Sequence, residues 1–194
     1  VMSVMALLLA SQNLGVRAEQ AVPVSMEAPA GMQILQSEDD APPPTLITDI
    51  VYAEYETGPV RLHLISPGVR VSRLAGTKAV GTPLPWILYV PGSGWFPQNL
   101  ARAIPNMIDF SKQTGFAIAI VAYRPSTMAK APAQLVDMKA AIRFLRANAD
   151  SYNLDPARVA IWGTSSGGHM ASLVGLTAEN QAFTHGVHSA ESDA

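Results

Sequence analysis

Three strongly apolar stretches with helix-like segments between them predict an α/β protein on a mostly parallel sheet. They are Trp86-Ile87-Leu88-Tyr89-Val90, residues 116–122 and residues 158–162. Strands that are apolar on both sides, rather than alternating, belong to a sheet wound with helices on both faces. Residues 134–149 read as one such helix, with Leu135, Met138, Ile142 and Leu145 on a single face.

Residues 1–10 form an apolar run too short to span a bilayer, and Val16-Arg17-Ala18 follows in a pattern that a signal peptidase reads. Residues 1–18 are therefore expected to be a partial secretory signal, cut after Ala18, which implies a secreted or periplasmic protein. No Lys or Arg precedes Arg17, so either translation begins at Val1 or the true start lies upstream. Residues 19–45 carry Pro23, Pro29, Pro42, Pro43 and Pro44 with acidic Glu38-Asp39-Asp40, and read as a disordered linker. An antiparallel hairpin is expected next, from residues 49–56 and 60–66 around a turn at Thr57-Gly58-Pro59. Val60, Leu62 and Leu64 mark its apolar face, and His63 reads as a surface residue opposite.

A Gly/Pro-rich loop, residues 66–85, leads to the strand at 86–90. Residues 99–114 read as an imperfect helix before the strand at 116–122. Asp155-Pro156 reads as a turn before the strand at 158–162, and a further helix starts near Gly168. The chain's 194 residues suffice for one core, and 48% hydrophobic with 14% charged residues describes a globular protein. A net charge of −2 without a basic stripe gives no reason to expect nucleic acid, and no stable membrane insertion is expected. The absence of cysteine decides nothing about compartment.

Chemistry enters at Gly163-Thr164-Ser165-Ser166-Gly167, between the last strand and the helix after it. A G-x-S-x-G in that setting lifts one serine hydroxyl above a sheet on a sharp, strained turn. The glycines two places before and after Ser165 let strand and helix pass where a Cβ would collide. Ser165 is therefore the candidate nucleophile. Pro91-Gly92-Ser93-Gly94-Trp95 follows an earlier strand, where this architecture takes the rest of its oxyanion hole.

From about Thr48 to Thr177 the chain resembles the α/β-hydrolase fold, in its hormone-sensitive-lipase-like and feruloyl-esterase-like carboxylesterase group. Four segments carry the resemblance, in the family's order: Pro91-Gly92-Ser93-Gly94-Trp95, Ala122-Tyr123-Arg124-Pro125, Asn153-Leu154-Asp155-Pro156-Ala157-Arg158 and Gly163-Thr164-Ser165-Ser166-Gly167-Gly168-His169. The chain departs from the family where Pro91-Gly92-Ser93-Gly94 replaces the usual His-Gly-Gly-Gly. By position the resemblance implies oxyanion donors at the N–H groups of Ser93, Gly94 and Ser166, none of which is proline. It implies no cofactor and no metal, and a small-molecule or carbohydrate-linked ester as substrate.

The base and its acid should follow Ser165 in the order Asp or Glu, then His, each after a strand. Only Glu179, His185, His188, Glu191 and Asp193 come later, in a short polar segment without strand runs. The catalytic acid and histidine are thus expected to be absent, residues 46–194 being the N-terminal part of the domain with its C-terminal strands missing. Arg124 reads as structural, paired with a carboxylate such as Asp137, and His169 as a packing or hydrogen-bonding residue. Trp95 either lines the acyl or alcohol pocket or covers the sheet's edge. The leading reading is a secreted serine carboxylesterase that forms an acyl-enzyme on Ser165. The alternatives are a prolyl-oligopeptidase-type serine peptidase, against which no propeller-like repeat precedes the segment, and a non-catalytic binding protein of the same fold. Phosphate cradling is set aside, because no Lys follows either glycine loop in P-loop fashion.

Overall fold

A computed structural model describes residues 43–68, 81–178 and 180–183. The expected signal segment, nearly all of the expected linker, much of the 66–85 loop, and Glu179, His185, His188, Glu191 and Asp193 lie outside the described residues.

Five strands form one sheet among the described residues: β1 (Thr45–Tyr55), β2 (Gly58–Ser66), β3 (Leu84–Val90), β4 (Ala117–Val121) and β5 (Leu154–Gly163), in the order β1-β2-β4-β3-β5. β4, β3 and β5 are mutually parallel, while β2 runs antiparallel to both β1 and β4. Four α-helices accompany them: α1 (Ile104–Thr114), α2 (Ala133–Ala147), α3 (Ala149–Tyr152) and α4 (Ser166–Leu176). A 3-10 turn, Leu100–Ala103, leads into α1, which accounts for the imperfect periodicity of residues 99–114.

Side-chain parity sorts the core into two layers. Leu62, Leu64, Trp86, Leu88, Val90, Ala117, Ala119 and Val121 share a cluster with Leu135, Met138, Ile142 and Leu145 of α2 and Met170 and Val174 of α4. Their odd-and-even partners Ile65, Tyr89, Ile118 and Ile120 face Met107 of α1. Both faces of the sheet are thereby covered, and the connections bring β3, β4 and β5 to one common end with their loops.

Four local expectations need correction. β1 starts at Thr45, before residue 49, because the chain passes Asp49 as an irregularity (φ 60) and keeps pairing on both sides of it. The interrupted ladder explains His63 as well. The Asp49 N–H donates to His63 Nδ1 at 3.0 Å, and His63 is buried, not a surface residue. The hairpin turn is the two-residue Glu56-Thr57, since Tyr55 pairs with Gly58, whose φ of 108 only glycine adopts easily. Asp155-Pro156 makes its turn inside the span of β5. Leu84 pairs with Leu154 but Trp86 with Val159, so the residues between bulge outward. Asp155 Oδ1 accepts Ala157 N–H at 2.9 Å there, and Arg158 holds the other oxygen at 2.6 Å.

Candidate active site

The connection from β5 to α4 is set by backbone contact. A Cβ on Gly163 would lie 2.3 Å from the Gly167 carbonyl oxygen, and one on Gly167 would lie 2.0 Å from the Val90 oxygen. Only glycine lets strand and helix cross at this range, so α4 begins at Ser166 rather than at Gly168. Ser165 sits at the N-cap with φ 52 and ψ −124. A residue with a Cβ held there stores about 1–3 kcal/mol of backbone strain. Its side chain is exposed, and no group among the described residues hydrogen-bonds to its hydroxyl. It stands at the positive end of α4, where developing negative charge is favoured.

The glycine loop lies directly against this elbow. Gly92 N–H donates to Thr164 Oγ1 at 3.1 Å, and Thr164 N–H to the Val90 oxygen at 3.2 Å. A Cβ on Gly92 would meet the Thr164 carbonyl at 2.6 Å and Ser165 Cβ at 2.9 Å. Next comes a tight turn closed by Phe96 N–H on the Ser93 oxygen at 3.1 Å. Its central residues, Gly94 (φ 61) and Trp95 (φ 64), are both left-handed, as in a type I′ turn. Ser126 braces it, donating its N–H to the Trp95 oxygen at 2.8 Å and its hydroxyl at 3.2 Å.

Of the three amides expected to face an oxyanion, Ser93 N–H is already engaged, donating to Ser166 Oγ at 2.9 Å. Gly94 N–H and Ser166 N–H have no acceptor among the described residues. The side chain of Ser166 and Tyr123, whose hydroxyl lies 3.3 Å from Ser166 Oγ, therefore belong to the site, although the glycine pattern pointed only to the Ser166 backbone. The signal for Tyr123 was its place in Ala122-Tyr123-Arg124-Pro125, just past the end of β4.

Arg124 is held as expected. Its Nη2 meets Asp137 Oδ1 at 2.8 Å, its Nε lies 3.0 Å from Oδ2, and its own N–H donates to Oδ2 at 2.9 Å. Asp137 is fully buried, and the guanidinium also stacks 3.5 Å over the Tyr55 ring. Burial opposes the Arg124 charge, but the hydrogen bonds and charge of Asp137 outweigh it and raise its pKa. Burial, reinforced by the Asp137 charge, pushes the Tyr55 hydroxyl up to about 12 and Tyr52 well above the ordinary tyrosine value. Both phenols stay neutral, and Tyr52 donates to the Ala122 oxygen at 2.7 Å.

His169 packs edge-on against Trp95, with ring centroids 5.6 Å apart, the first of the two roles expected for it. These two rings open a cavity of about 420 Å³ shared with Leu135, Met170, Leu173 and Phe183. Trp95 therefore lines an apolar recess. A second recess of about 420 Å³, on the α1 side, is polar: Gly92, Ser93, Thr164, Asn99, Arg102 and Asn106 line it. A larger cavity of about 580 Å³ near the hairpin turn touches no elbow residue. Neither described histidine, His63 or His169, is hydrogen-bonded to Ser165 through its ring.

The chain is 33% identical over 103 residues to Esterase LipC of Mycobacterium tuberculosis, covering 52% of this chain and 25% of that protein. It thus spans about a quarter of the length of the curated relatives it matches. Among solved structures, a bifunctional GH43-CE protein of Bacteroides eggerthii aligns with a TM-score of 0.62 at 33% identity, covering 76% of this chain and 21% of that one. A truncated carbohydrate esterase from gut microbiota aligns with a TM-score of 0.57 at 34% identity, covering 72% of this chain and 45% of that one. A family model described as BD-FAE matches residues 75–194, which take in the glycine loop, the Arg124 corner and the elbow. With an α/β-hydrolase fold and that match over more than half its length, the chain belongs to the BD-FAE family.

Proposed function

We propose that the protein carrying this chain is a carboxylic-ester hydrolase that forms an acyl-enzyme on Ser165. The observation that carries the reading is Ser165 itself: exposed, strained at φ 52, and free of hydrogen-bond partners among the described residues at the N-terminus of α4. In the reaction Ser165 Oγ attacks the ester carbonyl carbon while its proton passes to a general base. The C–O bond to the alcohol then breaks, the alcohol leaves with that proton, and water hydrolyses the acyl-serine. Gly94 N–H and Ser166 N–H are the free amides that hold the oxyanion. The base and its acid come from outside the described residues. Small esters, including carbohydrate-linked ones, are the substrate class. The similarity to LipC and to a carbohydrate esterase supports this. The apolar run at residues 1–10 with Val16-Arg17-Ala18 supports export from the cytoplasm.

The test uses the full-length protein with p-nitrophenyl acetate. Ser165→Ala is expected to lower kcat by about 10³-fold or more, because nucleophile and base act as one unit. Turnover by this variant close to that of the unmodified protein would remove Ser165 as the nucleophile.

A further inference from the structure

Ser93, Tyr123 and Ser166 come from three separate elements, and their hydroxyls meet under the glycine loop. Ser166 Oγ accepts Ser93 N–H at 2.9 Å and lies 3.3 Å from Tyr123 Oη. Tyr123 Oη lies 3.3 Å from Ser93 Oγ, which in turn donates to the Phe96 oxygen at 2.6 Å. The Ser93 hydroxyl proton is thus committed to Phe96, so in its contact with Tyr123 the phenol must donate. Tyr123 has then used its one proton, so in its contact with Ser166 the serine must donate. A single directed chain results: Ser93 N–H to Ser166, Ser166 to Tyr123, Tyr123 to Ser93 Oγ, and Ser93 Oγ to the Phe96 oxygen. It begins and ends on the same strained turn, the one that places Gly94 and Trp95 in the left-handed region. Tyr123 and Ser166 are 2% and 3% exposed, so water does not replace a missing link, and an interrupted chain leaves a buried polar group unpaired.

We propose that the hydroxyls of Ser93, Tyr123 and Ser166 are positioning groups that hold the Ser93–Phe96 turn, keeping the Gly94 amide set for the oxyanion. This rests on the reading of Ser165 as nucleophile. The role needs no contact between these hydroxyls and substrate. They act through the backbone, stiffening a loop in which a serine stands at a position the resemblance gives to glycine.

The experiment compares the full-length protein with Ser166→Ala, Tyr123→Phe and the double variant, beside Ser165→Ala. Ser166→Ala keeps the Ser166 N–H and removes only the link. Each single variant is expected to lower kcat about 10-fold with KM within about twofold, the mark of an interaction made in the transition state. Inhibition by phenylboronic acid, whose tetrahedral adduct on serine needs the same amides, should weaken in proportion to kcat. The double variant should be no worse than the more damaged single one, because either change breaks the same chain. Melting curves accompany each assay, and all rates are taken well below the transition. A purely structural role would lower the melting temperature and leave kcat and the boronate constant unchanged, which would overturn the proposal. If Ser165→Ala is dead while both hydroxyl variants turn over normally, the positioning proposal fails and the nucleophile stands. If Ser165→Ala stays active, both fall.

Discussion

Two strand-to-helix connections at the same end of the sheet are built on opposite principles. At the elbow, β5 turns into α4 through backbone contact so close that a Cβ on Gly163 or Gly167 would overlap a carbonyl oxygen. The one polar side chain at its apex, Ser165, is exposed and unpaired among the described residues. At the Arg124 corner, between β4 and α2, the charged groups are paired. Asp137 binds Arg124 through its side chain and its N–H, and Gln134 donates to the Arg124 and Ala129 oxygens at 2.9 and 2.7 Å. The difference teaches where chemistry sits. A buried charge with every partner in place is a structural rivet, whereas a strained hydroxyl without a partner is available to react.

The comparison can be broken from the structural side first. Asp137→Ala leaves the Arg124 guanidinium, only 17% exposed, without its counter-charge, and should destabilise the fold by about 3–5 kcal/mol in urea unfolding. A loss below about 1 kcal/mol would mean that the corner is not the rivet described. At the elbow, Gly167→Ala places a methyl 2.0 Å from the Val90 oxygen and forces β3 away from α4. Thermal or urea melts should show a loss of about 3 kcal/mol, with esterase turnover falling alongside. Unchanged stability would show that the crossing has slack. The smallest effect carries the opposite sign. Ser165→Gly relieves the φ of 52 and should raise stability by about 1 kcal/mol while abolishing turnover. A destabilised Ser165→Gly variant would mean that the elbow is not strained and that the contrast between the two connections is false.

Much of this was legible in the chain. The elbow glycines, the apolar strands, the face of α2 and the Arg124–Asp137 pair follow from short-range rules. Where reading failed, a distant partner had intervened. Nothing near His63 announces that it accepts a hydrogen bond from Asp49, because that bond exists only where β1 slips register. The buried Lys139, which donates to the Thr177 carbonyl at the end of α4, sits on α2 among residues whose spacing marks them as apolar or solvent-facing. Its placement depends on how α2 and α4 pack together.

The chain alone determined what steric demand dictates within a few residues. Gly163 and Gly167 bracket a serine that must turn sharply, and mostly apolar runs form strands covered on both sides. Tertiary structure decided which polar groups find one another. Ser93 N–H points to Ser166 Oγ across 73 positions of sequence, and Tyr123 joins them from the end of another strand. Hydrogen bonds between such distant groups depend on strand order and register to within a few tenths of an ångström, and no local pattern of residues encodes that.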